Sequence, residues 1–366
     1  MRLTVDVRIR LAGTAGPAGW PAPNCRCASC NRASHHRRLP VRVTVDGAFS
    51  LSSSDSPLPR RLPAGYSVAR TAYGVRVDGP DGGRLLYARP GAPCAPPEDA
   101  GPDDPSPAHQ VDLVVVDAVE SPETIGALRR AGVVGFTTAV VAVGGDHRVH
   151  SPAEFARRAR MWGALAPSDG QDLTCPPSTW PPPRVRGPYR VLITGGARSG
   201  KSAEAERRLL GEPDVLYLAA GPAPDEAADP AWARRVAAHR ERRPPWWRTA
   251  ETLDAVGVLK EARGAVLFDC LGTWLAGTMA ECGMWDEDAP ASAADALAAR
   301  VDELVAVWRE CGAHVVAVTN EVGSGVVPAT VSGGLFRDWL GRVNQLLSAE
   351  SEEVLLATAG RVVRLP

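Results

Sequence analysis

Lysine is almost missing from this chain. Of 41 basic residues only Lys201 and Lys260 are lysines; the others are arginines. Wherever any cation serves, the sequence writes Arg, so a retained Lys asks for a chemical reason. Lys260, in an expected helix, needs only a solvated surface; Lys201 needs more, as argued below. No apolar run approaches the roughly 20 residues that a membrane-spanning helix requires. The opening Met1-Arg2-Leu3-Thr4-Val5-Asp6 puts charges where a secretion signal needs apolar residues, so the expected compartment is the cytoplasm. A net charge of -1 supplies no basic field for a nucleic-acid partner. Evenly spread cysteines are absent too. Three of the eight fall within six residues, Cys25, Cys27 and Cys30, and the rest scatter, which does not suit a disulfide-stapled secreted domain.

What is present is an ordinary globular composition, 45% hydrophobic over 366 residues, enough for two or three domains. Residues 1–165 form one expected domain. Short strands are expected at 41–45, 74–77, 84–87 and 111–116, broken by Gly and Pro, with a Pro/Asp/Gly-rich loop over 92–107. Two helices are signalled by a capping Ser followed by Pro, at Ser121-Pro122 and Ser151-Pro152, each with a Glu in the first turn. Residues 166–188 carry Pro167, Pro176, Pro177, Pro181, Pro182, Pro183 and Pro188 and read as a semi-extended linker. Over 189–366 apolar runs at 190–194, 215–219, 265–268, 314–319 and 354–357 alternate with helical stretches. That alternation predicts an α/β domain built on a mostly parallel sheet.

Gly195-Gly196-Ala197-Arg198-Ser199-Gly200-Lys201-Ser202 fits G-x-x-x-x-G-K-[ST] between a strand and a helix. Glycines let backbone N–H groups turn inward around phosphate, and the helix N-terminus adds positive potential. Lys201 reaches the outer phosphates as a compact charge that Arg's fork does not replace. Ser202 is a ligand for Mg²⁺, and Asp269, ending the apolar run 265–268, is the second metal-associated group expected at a neighbouring strand end.

Four further segments join the phosphate loop. They are His239-Arg240-Glu241-Arg242-Arg243-Pro244, Trp247-Arg248-Thr249-Ala250-Glu251, Val318 to Pro328, and Phe336-Arg337-Asp338 with Gly341-Arg342-Val343-Asn344-Gln345. In this order they resemble the bifunctional adenosylcobinamide kinase/adenosylcobinamide-phosphate guanylyltransferases, over residues 190–366. The resemblance implies a RecA-like P-loop domain in a homo-oligomer, a trimer. It implies that ATP or GTP phosphorylates adenosylcobinamide. GTP then donates GMP to adenosylcobinamide phosphate, in cobalamin biosynthesis, through a guanylylated histidine. That position is His239 here. A neutral imidazole is a good nucleophile at phosphorus near pH 7, and Arg240, Arg242 and Arg243 beside it can neutralise a triphosphate. Glu251 matches the family's guanosine-contacting acid. Ala220-Gly221-Pro222 falls where the family contacts nucleotide through small hydroxyl-bearing residues, and this chain lacks those hydroxyls. That departure motivates one alternative, a kinase without guanylyl transfer; a GTP-binding regulator with no chemistry of its own is a second, from a different class. Asn320, Glu321 and Arg337 lie beside a strand end and serve structure or substrate equally well; Trp246, Trp247 and Trp274 are read as core packing before corrin contacts.

Gly13 to Gly16 with Gly19 to Cys30 resembles the opening of metallo-β-lactamase-fold phosphodiesterases, some of which hold a structural zinc in a C-x-C-x-x-C loop. Cys25, Cys27 and Cys30 would supply three soft ligands of four, with His35, His36, His147 or His150 as the fourth. The H-x-H-x-D-H motif of that family is missing and His109 stands alone, so a two-metal hydrolase is excluded. The expected role is a degenerate, non-catalytic domain.

Overall fold

The computed structural model describes residues 7–95, 110–178, 187–221, 230–286 and 290–366. They divide into two compact units, Met1–Arg184 with Leu210–Pro213, and Val185–Leu209 with Asp214–Pro366.

In the first unit, β1 (Val7–Gly13) alternates apolar Val7, Ile9 and Leu11, buried, with exposed Arg8 and Arg10. That period of two marks a strand with one wet face. It pairs antiparallel with β2 (Arg42–Val45), which continues to β3 (Phe49–Leu51), and on its other edge with β9 (Gln171–Cys175). A second sheet runs β4 (Ser67–Thr71), β5 (Gly74–Asp78), β6 (Arg84–Ala88), β7 (Leu113–Asp117), β8 (Ala139–Val143). Its first strands are antiparallel and its last three parallel. Ile9, Leu11 and Val43 share one apolar cluster with Val75, Leu85, Val115 and Val141, so the two sheets bury a common layer. Val114, Val116 and Val140, on the opposite face of the second sheet, cluster with Ile125, Leu128 and Phe155. These come from α2 (Thr124–Arg130) and α3 (Pro152–Met161). A short α1 (Ala28–Ala33) adds Cys30 and Ala33 to the same cluster.

The capping signal at Ser151 works as its residues dictate: the hydroxyl accepts from Glu154 N at 3.2 Å and Pro152 opens the helix. The expected linker is corrected in part. Residues 171–175 are strand β9, laddered to β1 from Val7↔Cys175 to Leu11↔Gln171, because β1 offers an open edge that outweighs the local proline content. The expected loop over 92–107 lies mostly outside the described residues.

The second unit carries β10 (Tyr189–Gly195), β11 (Val215–Ala219), β12 (Arg248–Glu251), β13 (Ala265–Asp269), β14 (His314–Val318), β15 (Glu353–Thr358) and β16 (Arg361–Arg364). Their order is β12-β11-β13-β14-β10-β15-β16. Every pairing is parallel except the closing β15–β16 hairpin. The inner strands β10, β13 and β14 are buried along most of their length, as helix-covered parallel sheets require, whereas the edge strands β12 and β16 are mostly exposed. The helices are α4 (Lys201–Leu209), α5 (Pro230–Glu241), α6 (Ala255–Glu261), α7 (Leu271–Glu281), α8 (Ala291–Glu310) and α9 (Val331–Ala349). Phe268, Val266 and Val315 pack with Trp274, Leu297, Leu304 and Leu340. This is the α/β domain with a mostly parallel sheet that the sequence predicts. Trp274 is 1% exposed and donates through Nε1 to Leu253 O at 3.1 Å; Trp247 is also buried. The burial of both suits the packing reading.

Candidate active site

β13, β14 and β10 are neighbours in the sheet, so their carboxyl ends lie side by side, where open α/β sheets hold their ligands in a crevice. The phosphate loop leaves β10 here. Gly195 has φ 155° and Gly200 φ 99°, both in the region that L side chains avoid. A Cβ on Gly195 would stand 2.3 Å from Ala357 O, whereas one on Gly196 would meet nothing within 4 Å. The first glycine therefore serves a close backbone crossing, and the second faces open space. Arg198 also takes φ 57°. Glu321 N donates to Gly195 O at 3.1 Å and Gly360 N to Ser199 O at 2.9 Å, so neighbouring loops hold the cradle's outer carbonyls. Lys201 is 7% exposed and donates through Nζ to Gly196 O at 2.9 Å, which points its charge back across the loop. Ala197 completes the turn.

Ser202 Oγ stands 3.5 Å from Asp269 Oδ1. Two hard oxygen donors facing each other at the loop's mouth suit Mg²⁺ in chemistry and placement. The other oxygen of Asp269 accepts from the Tyr217 hydroxyl at 2.8 Å. Burial, with the neighbouring carboxylate of Asp269, pushes Tyr217 far up, so it stays a phenol and a donor.

His239, near the end of α5, reaches this same group. Its Nδ1 lies 3.6 Å from Asp269 Oδ2, 3.5 Å from Glu206 Oε1 and 3.5 Å from the Tyr217 hydroxyl. A chain of contacts thus runs from the phosphate loop through Ser202 and Asp269 to the imidazole. Glu206 is on α4, four residues after Ser202, and Arg242 grips it with two bonds of 2.9 and 3.0 Å. Burial opposes ionisation of Glu206, but the bonds from His239 and Arg242 win and hold its pKa below the usual value. Glu206 and Tyr217 were not singled out from sequence. Glu206 had a readable signal, since it shares a helical face with Ser202 at i, i+4; Tyr217 lies hidden in an apolar strand run.

The remaining expected residues divide. Arg243 places its guanidinium 3.2 Å from the centroid of the Tyr217 ring and donates to Thr249 Oγ1 at 3.2 Å, at the edge of the crevice. Arg240 pairs with Glu251. Glu251 thus has a cation where the resemblance places guanine. The Ala220 side chain is fully buried in the apolar core, so any nucleotide contact there falls to its backbone. Gly221 follows it at the strand end, and Pro222 lies outside the described residues. Arg337 donates to Gly323 O at 2.9 Å and Asn344 to Asn320 O at 3.0 Å, which brace the loop after β14.

In the first unit, Cys25, Cys27 and Cys30 bring their sulfurs within 4.8 Å of one another. Cys27 caps α1, accepting from Cys30 N at 3.4 Å. That backbone donor lowers the pKa of the Cys27 thiol, whereas burial pushes Cys30 up to about 11. Three thiols at this spacing suit zinc in softness, and no described His, Asp or Glu joins the set. His35, His36, His147 and His150 are thus corrected as fourth ligands in this arrangement. His109 lies outside the described residues. Among the described residues no other cluster of His, Cys, Asp and Glu suits a metal, and no helix is long and apolar enough to cross a membrane.

Comparison with known proteins returns a family model described as cobinamide kinase / cobinamide phosphate guanyltransferase, matching residues 191–365. The bifunctional adenosylcobalamin biosynthesis protein CobU of Salmonella typhimurium is 38% identical over 185 residues, covering 48% of this chain and 98% of that protein. The protein of the same name from Escherichia coli is 37% identical with the same coverage. The bifunctional adenosylcobalamin biosynthesis protein CobP of Pseudomonas aeruginosa is 36% identical, over 47% of this chain and 94% of its own. Among solved structures, an ATPase from the type III secretion system of pathogenic bacteria aligns at 12% identity and a TM-score of 0.31, over 47% of this chain and 51% of that one.

Proposed function

The chain belongs to the cobinamide kinase / cobinamide phosphate guanyltransferase family, and from that premise we propose that its second unit phosphorylates adenosylcobinamide and then guanylylates the product through His239. The carrying observation is that imidazole's position. Its Nδ1 is 3.6 Å from Asp269, whose other oxygen is 3.5 Å from the phosphate-loop hydroxyl of Ser202. A histidine held there is beside the triphosphate that the loop would cradle.

The backbone amides of 195–200 and the ammonium of Lys201 bind and orient the phosphates of ATP or GTP. Arg243, at the crevice edge, adds charge for the outer oxygens. Ser202 and Asp269 would hold Mg²⁺, which offsets phosphate charge when bound. In the first reaction the aminopropanol hydroxyl of adenosylcobinamide is brought in line with the terminal phosphorus. In the second, His239 takes GMP from GTP and yields it to adenosylcobinamide phosphate. Glu251 would read guanine by accepting from N1–H and the exocyclic amine. The test is incubation with GTP labelled at the α-phosphate. Acid-labile, base-stable label on the protein is expected, lost in His239→Ala while cobinamide phosphorylation persists. An unlabelled wild type that still phosphorylates cobinamide would leave a kinase alone.

For the first unit we propose a non-catalytic role, with Cys25, Cys27 and Cys30 holding a structural zinc. We further propose a homo-oligomer, a trimer, working in the cytoplasm; light scattering on the purified chain reads the first point.

A further inference from the structure

His239 gathers its described polar neighbours on one nitrogen. Glu206 Oε1, the Tyr217 hydroxyl and Asp269 Oδ2 all stand 3.5–3.6 Å from Nδ1, and among the described residues no hydrogen bond engages Nε2. The proton of a neutral imidazole is placed by the bond its other nitrogen makes. Of the two carboxylates, Asp269 already has engagements: Oδ2 accepts from Tyr217 at 2.8 Å and Oδ1 faces Ser202. Glu206 has a different support. Arg242 fixes both of its oxygens, and its side chain is 9% exposed, so its plane is set and water is largely kept away.

We propose that Glu206 is a positioning residue for guanylyl transfer, holding the proton of His239 on Nδ1 so that Nε2 is the atom that captures the α-phosphorus. This rests on the reading of His239 as nucleophile. The step balances without proton transfer. The Nε2 lone pair forms the N–P bond, the bond from the α-phosphorus to the bridging oxygen breaks, and pyrophosphate leaves with that pair. The ring, still carrying its Nδ1 proton, becomes cationic beside the Glu206 carboxylate. When an oxygen of cobinamide phosphate attacks, the N–P pair returns to Nε2 and the ring is neutral again. A carboxylate that offsets the ring's charge favours the first half, and the proton it keeps on Nδ1 lets the ring leave as neutral imidazole in the second. Glu206 sits one helical turn beyond Ser202, on the helix that begins at the phosphate loop, so the nucleophile is aligned from the same element that aligns the triphosphate.

The test uses the full chain and GTP labelled at the α-phosphate, with no acceptor. Alkaline digestion preserves the phosphoramidate, and its isomer is identified against synthetic Nε2- and Nδ1-linked GMP-histidine. The wild type is expected to give the Nε2 isomer alone. Glu206→Gln is expected to slow labelling about 10–100-fold, with GTP affinity nearly kept and the Nδ1 isomer now detectable. Arg242→Ala, which frees the carboxylate without removing it, should give a smaller change in the same direction; it decides the matter if Glu206→Gln fails to fold. Wild-type label on Nδ1, or Glu206→Gln labelling at the wild-type rate on Nε2 only, overturns this inference and leaves the nucleophile reading intact. No label on wild-type His239 overturns that reading, and this inference with it.

Discussion

Arg240 and Glu251, eleven positions apart, hold each other by an ion pair between the end of α5 and the end of β12. Guanine recognition by Glu251 would have to displace that guanidinium. The pair is exposed, with side chains 51% and 43% accessible, so breaking it costs about 0.2–1 kcal/mol. Arg240→Ala is therefore expected to strengthen GTP binding by up to about fivefold and to leave ATP binding unchanged. Isothermal titration of both nucleotides reads this, and weaker binding of both would place Arg240 on the triphosphate instead.

Lys201→Ala should depress both transfer reactions by about 10²–10³-fold, the usual effect of losing one well-aimed donor to developing phosphate charge. Lys201→Arg should recover little, because a planar fork does not fit where the ammonium turns back to Gly196 O. Rates of cobinamide phosphorylation and of protein labelling check the two reactions separately. Wild-type rates in either variant would remove the lysine from the chemistry.

Glu154 supplies a pH-dependent contribution within the first unit. Burial pushes its pKa up, but Arg157 and Arg158 outweigh that and hold it down to about 2. A carboxyl depressed in the folded state stabilises the fold above its unfolded pKa near 4.5 and loses that contribution as pH falls toward 2. After discounting for solvent screening, about 1–2 kcal/mol is expected at neutral pH. Glu154→Gln should raise amide exchange in α3 at pH 7 and make little difference near pH 2.5. Equal effects at both values would assign the loss to packing.

The purified chain should carry about one zinc, and Cys27→Ser should lose it while the second unit keeps its nucleotide affinity. With metal removed by a chelator, Cys27 is expected to alkylate before Cys30. The former is exposed with its thiol pKa lowered, and the latter is buried and pushed up to about 11. Metal analysis and mass mapping of the alkylated thiols measure this; a zinc-free wild type would end the assignment.

The phosphate loop was legible because three local signals coincide: an apolar strand, glycines at the required spacing, and a helix opening on a rare lysine. Ser151 announced α3 just as locally. Strand β9 was not legible. Prolines flank it and Asp172 interrupts it; what makes it a strand is the edge of β1, over 160 positions away. β12 is four residues with little buried surface, too short for a period to show. The three contacts around His239 do not show in the sequence for a related reason. Spacing can suggest that Glu206 shares a face with Ser202, but only the parallel register of β11 and β13, Tyr217 opposite Leu267, brings the phenol to Asp269.

The β1–β9 pairing has a mechanical side. Val7 and Cys175 are partners at one end of an antiparallel ladder, so the first unit's incoming and outgoing chain are attached side by side. Tension applied through them runs along the cross-strand bonds, not across them, and loads one rung at a time. A pull on these two ends would open the β1–β9 ladder rung by rung, where a parallel pairing at the same place would be loaded in shear.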